Sequence, residues 1–193
     1  MSKWLATILA LIAVTSWGCA LSHMETSRQL ESGETVVHVG MEPEALFVPR
    51  VVFNVMQGFG AGDVSIHGGA GPWSMIGGLG MRAYLSEGWM GSLQTKMVHW
   101  LEDGESWVVG TPRLIYAARS PSSSLYFGAQ IPVMNYDREC CSVVPGLVFG
   151  GEDFRAGGWN PQFEVVLSIW PFVGWWGDES RMPWPAIHFG ANY

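Results

Sequence analysis

Residues 74–88 read SMIGGLGMRAYLSEG, and the fold turns on which way this stretch faces. In an extended chain, successive side chains point to opposite sides. Met75, Leu79, Met81, Ala83 and Leu85 then share one face, while Ser74 and Arg82 share the other. A soluble β-sandwich or barrel turns the first set inward and leaves Arg82 in water. A barrel in a bilayer does the reverse, because hydrocarbon meets its outside and polar groups line its interior.

The same alternation recurs on both sides of this stretch. Segments at roughly 34–41, 49–57, 62–69, 74–86, 90–101, 105–118, 123–132, 142–150, 162–172 and 185–193 read as strands, cut by Gly, Pro, Asp, Asn and Ser clusters. Asp103-Gly104 is a tight-hairpin signal. One face carries Val51, Phe53, Val55, Ile66, Leu93, Met97, Leu114, Phe127, Phe149, Phe163 and Phe189. The other carries His38, Asn54, Ser65, His67, Gln94, Tyr126, Gln130, His188 and Asn192, with isolated charges among them. Most of the 17 acidic residues fall in connectors such as MEPE, LEDGE, YDRE, GED and GDES. A soluble β-protein covers its outer face with Lys, Glu and Asp. The pattern therefore predicts an all-β, antiparallel, up-and-down transmembrane β-barrel of about ten strands, with charges in loops and lumen. Closure also leaves no unpaired strand edge in hydrocarbon. The segments suit a tilted strand, which crosses in roughly nine to eleven residues.

Composition agrees. Hydrophobic residues make up 48% of the 193-residue chain and charged residues 14%, against roughly 25% charged in ordinary soluble domains. The length is right for one domain. A net charge of −7 and the lack of any basic run exclude a nucleic-acid binder. Trp73, Trp89, Trp100, Trp107, Trp159, Trp170, Trp175, Trp176 and Trp184 lie near strand ends and read as interfacial girdles.

The first residues, MSKWLATILALIAVTSWGCA, place Lys3 before a short apolar run and small residues, the layout of an export signal over 1–19. Residues 20–33 are polar and aperiodic and read as a flexible tether, followed by the barrel over 34–193. The Gly18-Cys19 pair resembles the lipobox of bacterial lipoproteins, which implies lipidation of Cys19; Ser16 and Trp17 depart from that motif, and ordinary cleavage near Ala20 is the other reading. The alternate residues Ile187, Phe189, Ala191 and Tyr193 end the chain and resemble the C-terminal signal of bacterial outer-membrane barrel proteins. That resemblance implies the outer membrane as location, and the lipid bilayer and the barrel assembly machinery as partners. TSRQLESGETVVHVG and GGLGMRAYLSEG likewise resemble the opening of uncharacterised outer-membrane barrel lipoproteins.

Inside such a lumen, Arg50, Arg82, Lys96 and Arg113 face Glu164 as the one carboxylate on a strand. Buried charge is costly unless paired, so these residues read as a plug of ion pairs in a narrow barrel. A cationic lining that passes anionic solutes is the other reading. The outward loops are expected at 42–49, 70–73, 102–104, 133–141 and 173–184. No nucleophile, base and acid stand in a recognisable motif, so no catalytic set is expected, and the spacings hold no metal-ligand pattern or cofactor motif. Cys140 and Cys141 read as unbonded thiols at a loop edge. The competing architecture is an exported soluble barrel that binds an apolar ligand inside, as lipocalins do.

Overall fold

The structure is a computed structural model that describes residues 25–193 except 46–47, 137–139, 144, 155–157 and 169–185. The signal segment, Cys19 and the 173–184 loop lie outside the described residues. Twelve strands follow one another: β1 (Thr35–Ala45), β2 (Val48–Gly58), β3 (Gly62–Ala70), β4 (Ser74–Ser86), β5 (Trp89–Trp100), β6 (Ser106–Arg119), β7 (Ser123–Gln130), β8 (Val133–Tyr136), β9 (Cys140–Val143), β10 (Gly146–Asp153), β11 (Asn160–Ser168) and β12 (Ala186–Asn192). Ten of them close a ring in the order β1-β2-β3-β4-β5-β6-β7-β10-β11-β12, each antiparallel to its neighbours. The short β8 and β9 continue β7 and β10 past two breaks. Pro132 and Pro145 fall at those breaks and have no N–H to give to a ladder. Gly146 faces Gln130 on one side of the interruption and Val143 faces Val133 on the other, so the breaks oppose each other. The loop expected at 133–141 is thus largely a hairpin that extends the wall beside β6. The loop expected at 42–49 is likewise mostly strand, because β1 runs to Ala45 and β2 starts at Val48.

The final residue belongs to the seam that closes the ring. Tyr193 and Val37 exchange both backbone hydrogen bonds, at 2.8 and 3.0 Å. Beside them His38 faces Asn192, and His38 Nδ1 lies 2.9 Å from Asn192 Oδ1. The start of β1 and the end of β12 therefore lie at one end of the barrel, here the terminal end. The Tyr193 ring points outward and meets Trp159 at 5.3 Å between centroids, and Trp89 meets Tyr116 at 5.2 Å near the same end.

Orientation follows the reading of residues 74–88. Leu79 is 63% exposed and Arg82 is 2% exposed. Val51, Met81 and Phe189 also lie on the outside, and Arg113 is enclosed. The inward face is less purely polar than the alternation implied. Met90, Ile115, Ala117, Tyr126, Val148 and Val166 form one interior cluster; Val52, Ile76 and Val98 form another, which Trp100 covers. Trp100 was expected in an interfacial girdle, but it shares strand parity with the buried Val98 and so points inward. Trp107 has the parity of the buried Val109 and meets Trp100 edge-on at 5.5 Å. These rings stand over the interior at the distal end, while Trp170, Trp175, Trp176 and Trp184 lie outside the described residues.

Large inward side chains fit because bare backbone faces them. A Cβ built on Gly150 would overlap the Tyr126 ring. Gly150→Ala should therefore cost about 1–3 kcal/mol through overpacking, measured as a lowered urea midpoint. The double variant Gly150→Ala/Tyr126→Leu should recover part of the loss; if the single substitution leaves the midpoint unchanged, this packing account is wrong.

Candidate functional site: the barrel interior

Hairpin register pairs two of the expected lumen cations with acids that the sequence reading had left out of the lumen. Glu42 and Arg50 are direct partners on β1 and β2, and Asp63 and Arg82 on β3 and β4. Arg50 Nε donates to Glu42 at 2.9 Å, and its Nη1 donates to Ser74 Oγ at 2.7 Å. Arg82 donates to Asp63 at 2.8 and 2.6 Å. Arg113 instead reaches across from β6 to Glu164 on β11 at 2.8 Å, spanning the lumen. Glu164 is thus one of several inward carboxylates, since Glu42, Asp63 and Glu152 are also buried. The correction has a simple cause: β1 and β10 run past their expected ends to include Glu42 and Glu152, and Asp63 has the inward parity of Ser65 and His67 on β3. Lys96 is buried in the same interior, as expected.

The expected tether is the larger surprise. From Glu25 onward it does not hang free but crosses the terminal mouth of the barrel as a strap. Leu30 packs with Val36 of β1 and Met56 of β2. Across the ring, Glu152 of β10 accepts from Thr26 Oγ1 at 2.9 Å, Ser27 N at 2.7 Å and Ser27 Oγ at 2.8 Å. Backbone carbonyls are also taken: Thr26 and Arg28 by Arg82, Ser27 by Arg119 at 2.8 Å, and Glu25 by Gln162 at 2.7 Å. Leu30 N donates to Tyr84 Oη at 2.6 Å, and that hydroxyl donates to Asp63 at 2.7 Å. The Glu25 carboxylate turns into the lumen, where Gln94 donates to it. Gly33 makes the turn into β1 with φ +86, a left-handed value that suits glycine. Gly58 lets the strap lie close, since a Cβ there would meet Leu30 Cβ at 2.7 Å.

Above the strap, His38 and His188 stack at 5.6 Å between centroids, over the bare Gly40. With His67, Lys96, Glu42 and Asn54 they line a cavity of about 20 Å³, room for a single water molecule. A second interior space of about 10 Å³ lies between the strap and Arg113. Among the described residues, no three His, Cys, Asp or Glu groups stand close enough to hold a metal ion. Cys140 and Cys141 are placed by their backbone on β9, opposite Tyr136 and Asn135.

The expected lumen residues Arg50, Arg82, Lys96, Arg113 and Glu164 all point inward. Of the C-terminal residues, Phe189 and Tyr193 are exposed on the outer wall; Ala191 faces Val39 and Pro161 across the closing seam, and Ile187 faces Val165 in the ladder. Sequence reading missed the strap dock: Glu25, Thr26, Ser27, Arg119, Glu152 and Gln162. Its one signal was Glu152 at inward parity in a run otherwise read as a loop. Comparison with family models, with curated proteins and with solved structures returns no match to this chain.

Proposed function

We propose that the protein is an outer-membrane β-barrel with a structural role, its lumen closed to bulk solutes in the state described. The observation that carries the reading is the inverted polarity of the wall. Leu79, Met81, Leu93, Phe127 and Phe189 are exposed on its outside, while Arg50, Arg82, Lys96 and Arg113 are enclosed. Apolar patches beyond a few hundred Å² are rare on soluble monomers, and a band of this kind suits hydrocarbon. Trp89, Trp159 and Tyr193 near the terminal end fit an interfacial girdle.

The closed lumen argues for structure over passage. Side chains fill barrels of about eight strands, and open channels appear near sixteen. Here apolar clusters, ion pairs and the strap leave interior spaces of about 10 and 20 Å³ beside the network. A lipocalin-like reading would want an apolar cavity inside, and these spaces are too small for an apolar ligand. The test is reconstitution of the full chain in phospholipid. Tryptophan fluorescence should be quenched by lipid-attached quenchers, and planar bilayers should show no stepwise conductance. Recovery of the folded protein from the periplasm without detergent would overturn the membrane reading, whereas regular conductance steps would replace the structural role with a pore.

A further inference from the structure

We propose that the terminal mouth of the barrel is a binding site for a short peptide, filled in this structure by the chain's own residues 25–30. The recognition is that of a ligand rather than of a linker. A linker needs only reach, but here five side chains from four different strands satisfy the strap's main chain. Arg82 of β4 takes the carbonyls of Thr26 and Arg28, Arg119 of β6 that of Ser27 and Gln162 of β11 that of Glu25. Glu152 of β10 accepts the Ser27 N–H, and Tyr84 of β4 accepts that of Leu30.

Side-chain pockets then add sequence preference. Glu152 accepts both the Thr26 and the Ser27 hydroxyl, so two successive hydroxyl residues fit there. The Glu25 carboxylate meets Gln94 inside the lumen, with the guanidinium groups of Arg82 and Arg113 near enough to act on it. Leu30 fills the apolar notch between Val36 and Met56. Arg28, on the side away from the lumen, is exposed. The ligand class is therefore a short peptide, bent after its first hydroxyl residue, with an acidic residue, two hydroxyl residues, a two-residue spacer and an aliphatic residue.

The site is separable from the wall. The strap adds no strand to the ring, and no ladder of the barrel includes residues 25–30. Glu152 and Arg119 also sit at strand ends, beside the terminal mouth and within reach of a peptide arriving from outside. None of this depends on where the barrel resides.

The experiment uses the full folded chain with a protease site inserted between Ser32 and Gly33, in the exposed turn. After cutting, the strap is held by contacts alone. A labelled synthetic peptide spanning Met24–Ser32 should replace it saturably, while a scrambled peptide of the same composition and the uncut chain should not take up label. Glu152→Gln keeps one acceptor oxygen but sets its NH2 group against either the strap's donors or Asn192 Nδ2, and it removes the charge, so it should weaken peptide binding about tenfold or more. Unchanged heat-dependent gel mobility of the cut and Glu152→Gln proteins reports an intact barrel. The proposal is overturned if the peptide fails to exchange, if the scrambled peptide exchanges equally, or if an intact Glu152→Gln barrel binds it undiminished.

Discussion

Glu164→Leu is expected to destabilise the barrel by about 3–5 kcal/mol, read from urea unfolding in detergent micelles. Arg113 Nη2 lies 2.8 Å from Glu164 Oε2, and Tyr126 Oη donates to the same oxygen at 3.3 Å. Both charged groups are enclosed, so solvent does not replace the lost carboxylate. The cost is mostly that of leaving a guanidinium in the interior without its hydrogen-bonded carboxylate. Removing both ends together avoids that cost. Arg113→Met/Glu164→Leu should therefore return to within about 1–2 kcal/mol of the parent, since apolar replacement of a buried pair is often neutral or better. Equal losses in the single and double variants would show that the pair does not act as a unit. Because this pair ties β6 to β11 across the lumen, rather than adjacent strands, it resists flattening of the ring.

Leu79→Arg separates the two architectures most sharply. In a bilayer, an arginine on the lipid face near mid-depth costs roughly 2–4 kcal/mol, falling to about 0–1 near the interfaces. On a soluble protein a substitution at an exposed position usually changes stability by no more than about 0.5 kcal/mol. Leu79 lies mid-strand on β4, between Ile66 and Thr95, and Leu85 lies near its terminal end. Measured by reversible unfolding from phospholipid vesicles, the cost should thus be several-fold larger at residue 79 than at residue 85. A flat and small response at both positions would remove the bilayer from the account.

The resemblance to outer-membrane barrel proteins rests on short motifs, and its strongest structural counterpart is the seam. Tyr193 exchanges both backbone hydrogen bonds with Val37, so this residue takes part in closing the ring. Phe189, mid-strand on β12, and Tyr193, at the terminal end, present their rings on the outer wall.

The strands, and the face each side chain takes, were legible in the sequence because alternation is a local property: neighbouring residues on a strand point apart whatever the rest of the chain does. Arg82 inside and Leu79 outside followed from that period, together with the sparse charge on the polar face. The pairs Glu42–Arg50 and Asp63–Arg82 were within reach as well, since each joins the two arms of one hairpin. They were missed because hairpin register depends on turn geometry, because a short shift in a strand boundary moved Glu42 into a loop, and because Asp63 sits at the very start of its strand. Only the closed structure brought Arg113 to Glu164 and hydrogen-bonded residues 25–30, across the mouth, to side chains of β4, β6, β10 and β11. Those contacts join segments more than fifty residues apart, as Thr26 and Glu152 do at a separation of 126. No local pattern encodes such a meeting. It exists only once ring closure has set which strand ends surround the opening and which of their side chains point into it.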